Sequence, residues 1–223
     1  MAGRSVEHAL IGFAGVCALL LVLSFTASLA STGHWRSFDE WLLRLFRTAG
    51  DLATPVGSRS VQIAVRDATA LGGTMPLVLL ISIVAVYLFL KHHARTALAV
   101  IASTLLGVIA SQILKAVIDR GRPDIVPQLV PEVSGSFPSG HAMMSAIVYL
   151  TLGTMLARLE HEAAVRRFII GTAIGLTMIV GLSRVYLGVH WPSDVMGGWA
   201  LGALWVVAAS RILDRVVKQT GGP

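Results

Sequence analysis

The chain has 223 residues, 55% of them hydrophobic and 13% charged, and its mean hydropathy of +0.74 excludes an ordinary water-soluble domain. Its formal charge of +6 reads as membrane topology plus attraction to anionic lipid, with no nucleic-acid partner. The one cysteine, Cys17, lies inside the first apolar run and excludes an internal disulfide and any multi-cysteine metal site.

The first run, residues 9–30, is longer than the roughly 7–15 apolar residues of a signal-peptide core and reads as a membrane span. A long polar segment follows. In it Phe38, Trp41, Leu42, Leu45 and Phe46 recur at helical spacing, with Arg36, Glu40, Arg44 and Arg47 opposite. This predicts a short amphipathic helix lying in the membrane surface. A weaker helix is expected at 61–71, ended by Gly72 and Gly73. Further spans are predicted at about 71–90, 96–117, 141–158, 168–187 and 193–211. The last three are short of apolar residues, so their polar ends complete the crossing and bring His141 and Arg184 close to membrane depth. The expected fold is all-α: a six-transmembrane-helix bundle, one domain over residues 1–223, with the amphipathic interfacial helix between spans one and two.

With cytoplasmic termini, the inner segments carry Arg4, Lys91, Arg95, Arg158, Arg166, Arg167, Arg211, Arg215 and Lys218. The outer segments carry as many cations, but four of these, Lys115, Arg120, Arg122 and Arg184, sit in or beside polar clusters that give them another use. The positive-inside rule therefore favours this orientation. It puts all three polar clusters, KAVIDRGRP at 115–123, SFPSGH at 136–141 and SRVYLGVHWPSD at 183–194, on the outer face.

Each cluster alone has an ordinary reading as a helix cap or a snorkelling cation. Together they describe a site. Ser139 is a good N-cap after Pro138, and the N–H groups of Gly140 and His141 at a helix start suit a phosphate-like anion. Lys115 offers a point charge and Arg122 a planar fork. Pro192 suits a first helical position, which puts Asp194 in the first turn. From there Asp194 can accept from one nitrogen of His190 and leave the other free as a nucleophile, while Arg184 faces the same anion. Cations, a nucleophile and an acid are what metal-free phosphoryl transfer needs.

The residues resemble the type-2 phosphatidic acid phosphatases, or lipid phosphate phosphatases, whose signature is K-x6-R-P, P-S-G-H and S-R-x5-H-x3-D. Here these are Lys115, Arg122 and Pro123; Pro138 to His141; and Ser183, Arg184, His190 and Asp194. The resemblance implies that His190 attacks phosphorus, Asp194 orients it and His141 protonates the leaving group. It implies that Lys115, Arg122, Ser139, Gly140 and Arg184 hold the phosphoryl oxygens, with no metal and no cofactor. The implied substrate is a lipid phosphate or pyrophosphate: phosphatidic acid, phosphatidylglycerophosphate or, preferred, undecaprenyl pyrophosphate. The implied location is a bacterial plasma membrane, with the site on the extracytoplasmic face. A phosphotransferase of the same fold, or a transporter without enzymatic activity, are the competing readings.

Overall fold

The computed structural model describes residues 34–219, together with Gly15, Val16, Leu19 and Val22, which are helical and exposed where described. The rest of the predicted first span lies outside the described residues. The chain is mostly helical: α1 His34–Leu45, α2 Arg59–Ala70, α3 Thr74–Leu90, α4 Ala94–Ile118, α5 Gly140–Leu159, α6 Ala163–Tyr186 and α7 Pro192–Gln219.

The expected all-α class needs one correction. A two-stranded antiparallel hairpin, β1 Arg47–Thr48 and β2 Asp51–Pro55, stands between α1 and α2. Its turn is built by Gly50 at φ 84° and by Asp51, whose carboxylate accepts from Ala53 N at 2.9 Å and Thr54 Oγ1 at 2.6 Å. Arg47, expected on a solvent face, is buried and donates to Tyr186 O at 2.9 Å, which ties the hairpin to the end of α6. Helix α1 also buries two residues outside its expected apolar face. Asp39 and Leu43 are fully buried, whereas Trp41 and Leu45 are exposed. Leu43 packs with Val126, Trp191 and Val195.

Helices α4, α5 and α6 are long and apolar enough to cross a membrane, and α2 with α3 qualifies as a fourth unit bent by 45°. The bend falls at the two glycines the sequence marks as a break, Gly72 and Gly73. The chain is thus a multi-pass membrane protein. Exposed Leu79, Ile83 and Val86 on α3 and Leu105, Ile109 and Ile113 on α4 are side chains suited to lipid contact.

Helix α5 is central, with Ala142, Met143, Ala146, Ile147 and Val148 all buried. It meets α7 through small residues, which lets the two backbones approach closely. A Cβ at Gly198 would stand 2.8 Å from Ser139 O, and one at Gly202 would stand 2.7 Å from Met143 O. This close crossing brings the first turns of α5 and α7 together, where Ser139 N donates to Asp194 O at 3.1 Å. Gly202→Val should therefore force the helices apart and cost about 1–3 kcal/mol by overpacking. A clearly lower thermal unfolding midpoint in detergent is the expected result.

Candidate functional site

The three polar clusters converge where α4 ends and α5 and α7 begin. Asp194, in the first turn of α7, is fully buried. Its Oδ1 accepts from Arg120 Nη1 at 2.6 Å. Its Oδ2 accepts from Trp191 N at 2.9 Å and from the hydroxyl of Ser136. A buried carboxylate requires such donors to remain charged.

His190 sits in the turn between α6 and α7 and is 1% exposed. That turn depends on Gly188 at φ 71°, where a Cβ would also lie 2.8 Å from Pro127 O. The i, i+4 spacing suggests a direct bond from His190 to Asp194, but Nδ1 and Oδ2 are 3.6 Å apart, too long for one. The Ser136 hydroxyl stands beside both, 3.4 Å from Nδ1 and hydrogen-bonded to Oδ2. On the other side of the ring, Arg122 Nη1 is 3.4 Å from Nε2. Acceptors near Nδ1 and a guanidinium donor near Nε2 select the Nδ1–H tautomer, leaving the Nε2 lone pair toward Arg122.

Burial pushes the His190 imidazole down to about 4, with Asp194 opposing and Arg122 and Arg184 adding to the effect. The ring is therefore neutral at physiological pH. Because its folded value lies below the ordinary 6.5, protonation opposes the folded site, and the neutral ring's contribution fades only as pH falls below the unfolded value. Histidine-selective NMR in detergent, assigned with His190→Ala, should show a resonance that does not titrate between pH 8 and 5.5. A midpoint near 6.5 would contradict this environment.

The cations come from three segments. Lys115, at the end of α4, donates to Ser134 Oγ at 3.0 Å, and its Nζ lies 3.8 Å from where a Gly140 Cβ would stand. Arg122 is anchored by Ser134 O at 2.9 Å and Val189 O at 2.6 Å. Arg184, 2% exposed, donates to Thr69 Oγ1 at 3.2 Å, which recruits α2 to the site. Ser139 is the N-cap of α5, but its side chain makes no capping bond. Ser139 Oγ and Arg184 Nε are both buried without a hydrogen-bond partner among the described residues.

Lys115, Gly140, His141 and His190 line one cavity of about 280 Å³. The same cavity continues between α3 and α4, past Leu77, Val78, Thr104 and Val108. Of the eight sequence-predicted site residues, Lys115, Gly140, His141 and His190 line the cavity, and the other four stand behind them: Arg122 and Asp194 beside His190, Ser139 bonded to Asp194, and Arg184 bonded to the cavity-lining Glu132.

Four further residues complete the arrangement, and spacing alone did not single them out. Ser136 and Arg120 lie inside the polar clusters, and Asp39 lies on α1. Glu132, in the loop between α4 and α5, bonds Arg184 Nη2 and stands 3.6 Å from Arg122 Nη2. Its carboxylate therefore occupies the space between two guanidinium groups. Burial raises its proton affinity, but Arg184 and Arg122 overcome that and hold the carboxyl below its ordinary range.

The family model described as "PAP2 superfamily" matches residues 96–218. Phosphatidylglycerophosphatase B of Bacillus subtilis (strain 168) is 44% identical over 95 residues, covering 42% of this chain and 46% of that protein. Undecaprenyl-diphosphatase of Sulfolobus acidocaldarius is 30% identical over 146 residues, covering 63% of this chain and 64% of that protein. The chain thus aligns with less than two thirds of the length of either curated relative. The crystal structure of the transmembrane PAP2 type phosphatidylglycerolphosphate phosphatase from Bacillus subtilis superposes with a TM-score of 0.78 at 28% identity, covering 90% of this chain and 96% of that one.

Proposed function

This chain belongs to the PAP2 superfamily, and on that premise we propose that it is a membrane phosphatase that hydrolyses a lipid phosphate or pyrophosphate through a phosphohistidine at His190. The observation that carries the proposal is the neutral, oriented His190 beside a cluster of cations and two orphaned donors, Ser139 Oγ and Arg184 Nε. Ser139 and Arg184 adjoin the cavity-lining Gly140 and Glu132, where phosphoryl oxygens would bond.

In the first step His190 Nε2 attacks phosphorus and the bond to the leaving oxygen breaks. His141, at the start of α5, enters this step as the imidazolium, a form that the negative charge of the bound phosphate favours, and gives that oxygen its proton. Lys115, Arg122, Arg184, Ser139 and the Gly140 N–H carry the charge on the equatorial oxygens. In the second step water attacks the phosphohistidine, His141 takes the proton, inorganic phosphate leaves and the imidazole is regenerated. Asp194, with Ser136, keeps the Nδ1 proton in place and favours the positive ring as it forms. The charge is met by fixed cations, and the described residues gather no group of three or more carboxylate, imidazole or thiolate donors around a common point.

The apolar continuation of the cavity between α3 and α4 supports a lipid-borne phosphate, since a chain could lie there while its headgroup meets the cations. Undecaprenyl pyrophosphate and phosphatidylglycerophosphate are the preferred substrates, in keeping with the names of the two relatives. Six crossings, cytoplasmic termini and a site on the extracytoplasmic face of a bacterial plasma membrane complete the reading. Exposed Trp41 and Leu45 suit an α1 helix set in the membrane interface.

Phosphate release from undecaprenyl pyrophosphate, phosphatidylglycerophosphate and phosphatidic acid, by purified protein in detergent with excess EDTA, tests the proposal. Wild type should turn over, His190→Ala should be inactive and Arg184→Ala should lose at least about tenfold in kcat/KM. A need for added divalent metal, or substantial turnover by His190→Ala, would contradict it.

Substrate phosphate must also displace the Glu132 carboxylate from between the guanidiniums. Glu132→Gln should therefore strengthen competitive inhibition by inorganic phosphate by at least about threefold, through loss of a like-charge competitor. Unchanged inhibition would show that the carboxylate does not compete.

A further inference from the structure

The proposed chemistry uses the motif residues and leaves a fully buried carboxylate outside them unused. Asp39, on α1, is 0% exposed. It accepts from Ser193 N at 2.9 Å, Ser193 Oγ at 2.6 Å and Arg120 Nη2 at 2.8 Å. The other amino group of the same guanidinium, Arg120 Nη1, donates to Asp194 Oδ1 at 2.6 Å and Ser193 Oγ at 2.7 Å. Arg120 also lies over the Trp191 ring, 5.7 Å from its centroid.

The guanidinium is therefore held between two buried carboxylates, one on α1 and one that orients the nucleophile. Arg120 has a 15% exposed side chain, so the Asp194 contact alone does not fix its plane. Asp39 supplies the second anchor. A planar fork engaged at both ends has one orientation, whereas a fork engaged at one end can rotate toward water. The orientation passes from Asp194 to His190 through the short path at Ser136 and Nδ1.

We propose that Asp39 is a positioning residue for phosphoryl transfer, acting on His190 through Arg120 and Asp194, so that helix α1 is a working part of the site. The proposal rests on the reading of His190 as nucleophile. It assigns to a residue outside all three motifs a share in the rate of the chemical step, with no contact to the substrate.

The test is steady-state kinetics in detergent on whichever of undecaprenyl pyrophosphate, phosphatidylglycerophosphate and phosphatidic acid turns over fastest, normalised to folded protein by thermal unfolding. The proteins are wild type, Asp39→Asn, Asp39→Glu, Arg120→Lys, the Asp39→Asn/Arg120→Lys double variant and His190→Ala. Asp39→Asn keeps the shape and an oxygen for Ser193 but removes the charge facing Arg120. We expect kcat to fall by about tenfold with KM within about twofold, the pattern of a lost transition-state contribution. Asp39→Glu, which keeps the charge, should retain more kcat than Asp39→Asn. The double variant should lose no more than the worse single variant, since both act through one carboxylate.

A folded Asp39→Asn enzyme with wild-type kcat, or one changed only in KM or unfolding midpoint, would overturn the proposal. If Asp39→Asn does not fold, Asp39→Glu and Arg120→Lys decide it, because wild-type kcat in both would be equally fatal. Turnover by His190→Ala would instead remove the underlying mechanism, which keeps the two failures distinct.

Discussion

Everything in the site depends on one buried charge. Asp194 has no exposure to solvent, so its ionised form is tolerable only while Arg120, Ser136 and the Trp191 N–H all remain in place. Breaking a buried ion pair by removing one partner costs about 3–5 kcal/mol, because the remaining charge is left unpaired. The donors come from the segment after α4, the segment before α5 and the turn before α7, so satisfying one carboxylate draws three parts of the chain together. The N-terminus of α7 adds a favourable dipole. The position of His190 follows from that constraint, because its Nδ1 faces the same carboxylate and the same serine.

The anion site is the electrostatic counterpart. Lys115, Arg122 and Arg184 would repel one another if left unscreened, and Glu132 offsets part of that by lying between the two arginines. In the proposed function a phosphoryl group, with more charge and more acceptor oxygens than a carboxylate, would take the place of Glu132 between the arginines. In the same proposal the apolar cavity beside it would take the remainder of an amphipathic substrate.

Much of this was legible in the sequence because motif spacing encodes position. Lys115 and Arg122 fall on either side of a helix end, Ser139 and Gly140 at a helix start and Asp194 in a first turn, and these are local properties. What the sequence concealed is long-range. Asp39 meets partners 81 and 154 residues away, and no periodicity reports such a pairing. Hydrophobic spacing marked Trp41 and Leu45 on the apolar face of α1, and both are exposed, but it did not report that Asp39 and Leu43 on another side of the helix are buried against the rest of the chain. The spacing of His190 and Asp194 suggested direct contact, and only side-chain coordinates show Ser136 beside both. The hairpin at 47–55 was missed because its strands are two and five residues long, too short for an alternating pattern to register.

In the proposed mechanism phosphorus is transferred to His190 before it reaches water. The most direct measurement is to mix the enzyme with substrate carrying a radiolabelled terminal phosphate, quench in base during turnover and locate the label by peptide mapping. Phosphohistidine is stable to base and labile to acid, so transfer through His190 should leave base-stable, acid-labile label on the His190 peptide and none in His190→Ala. Label on another residue, or steady turnover that never labels the protein under rapid quench, would contradict it.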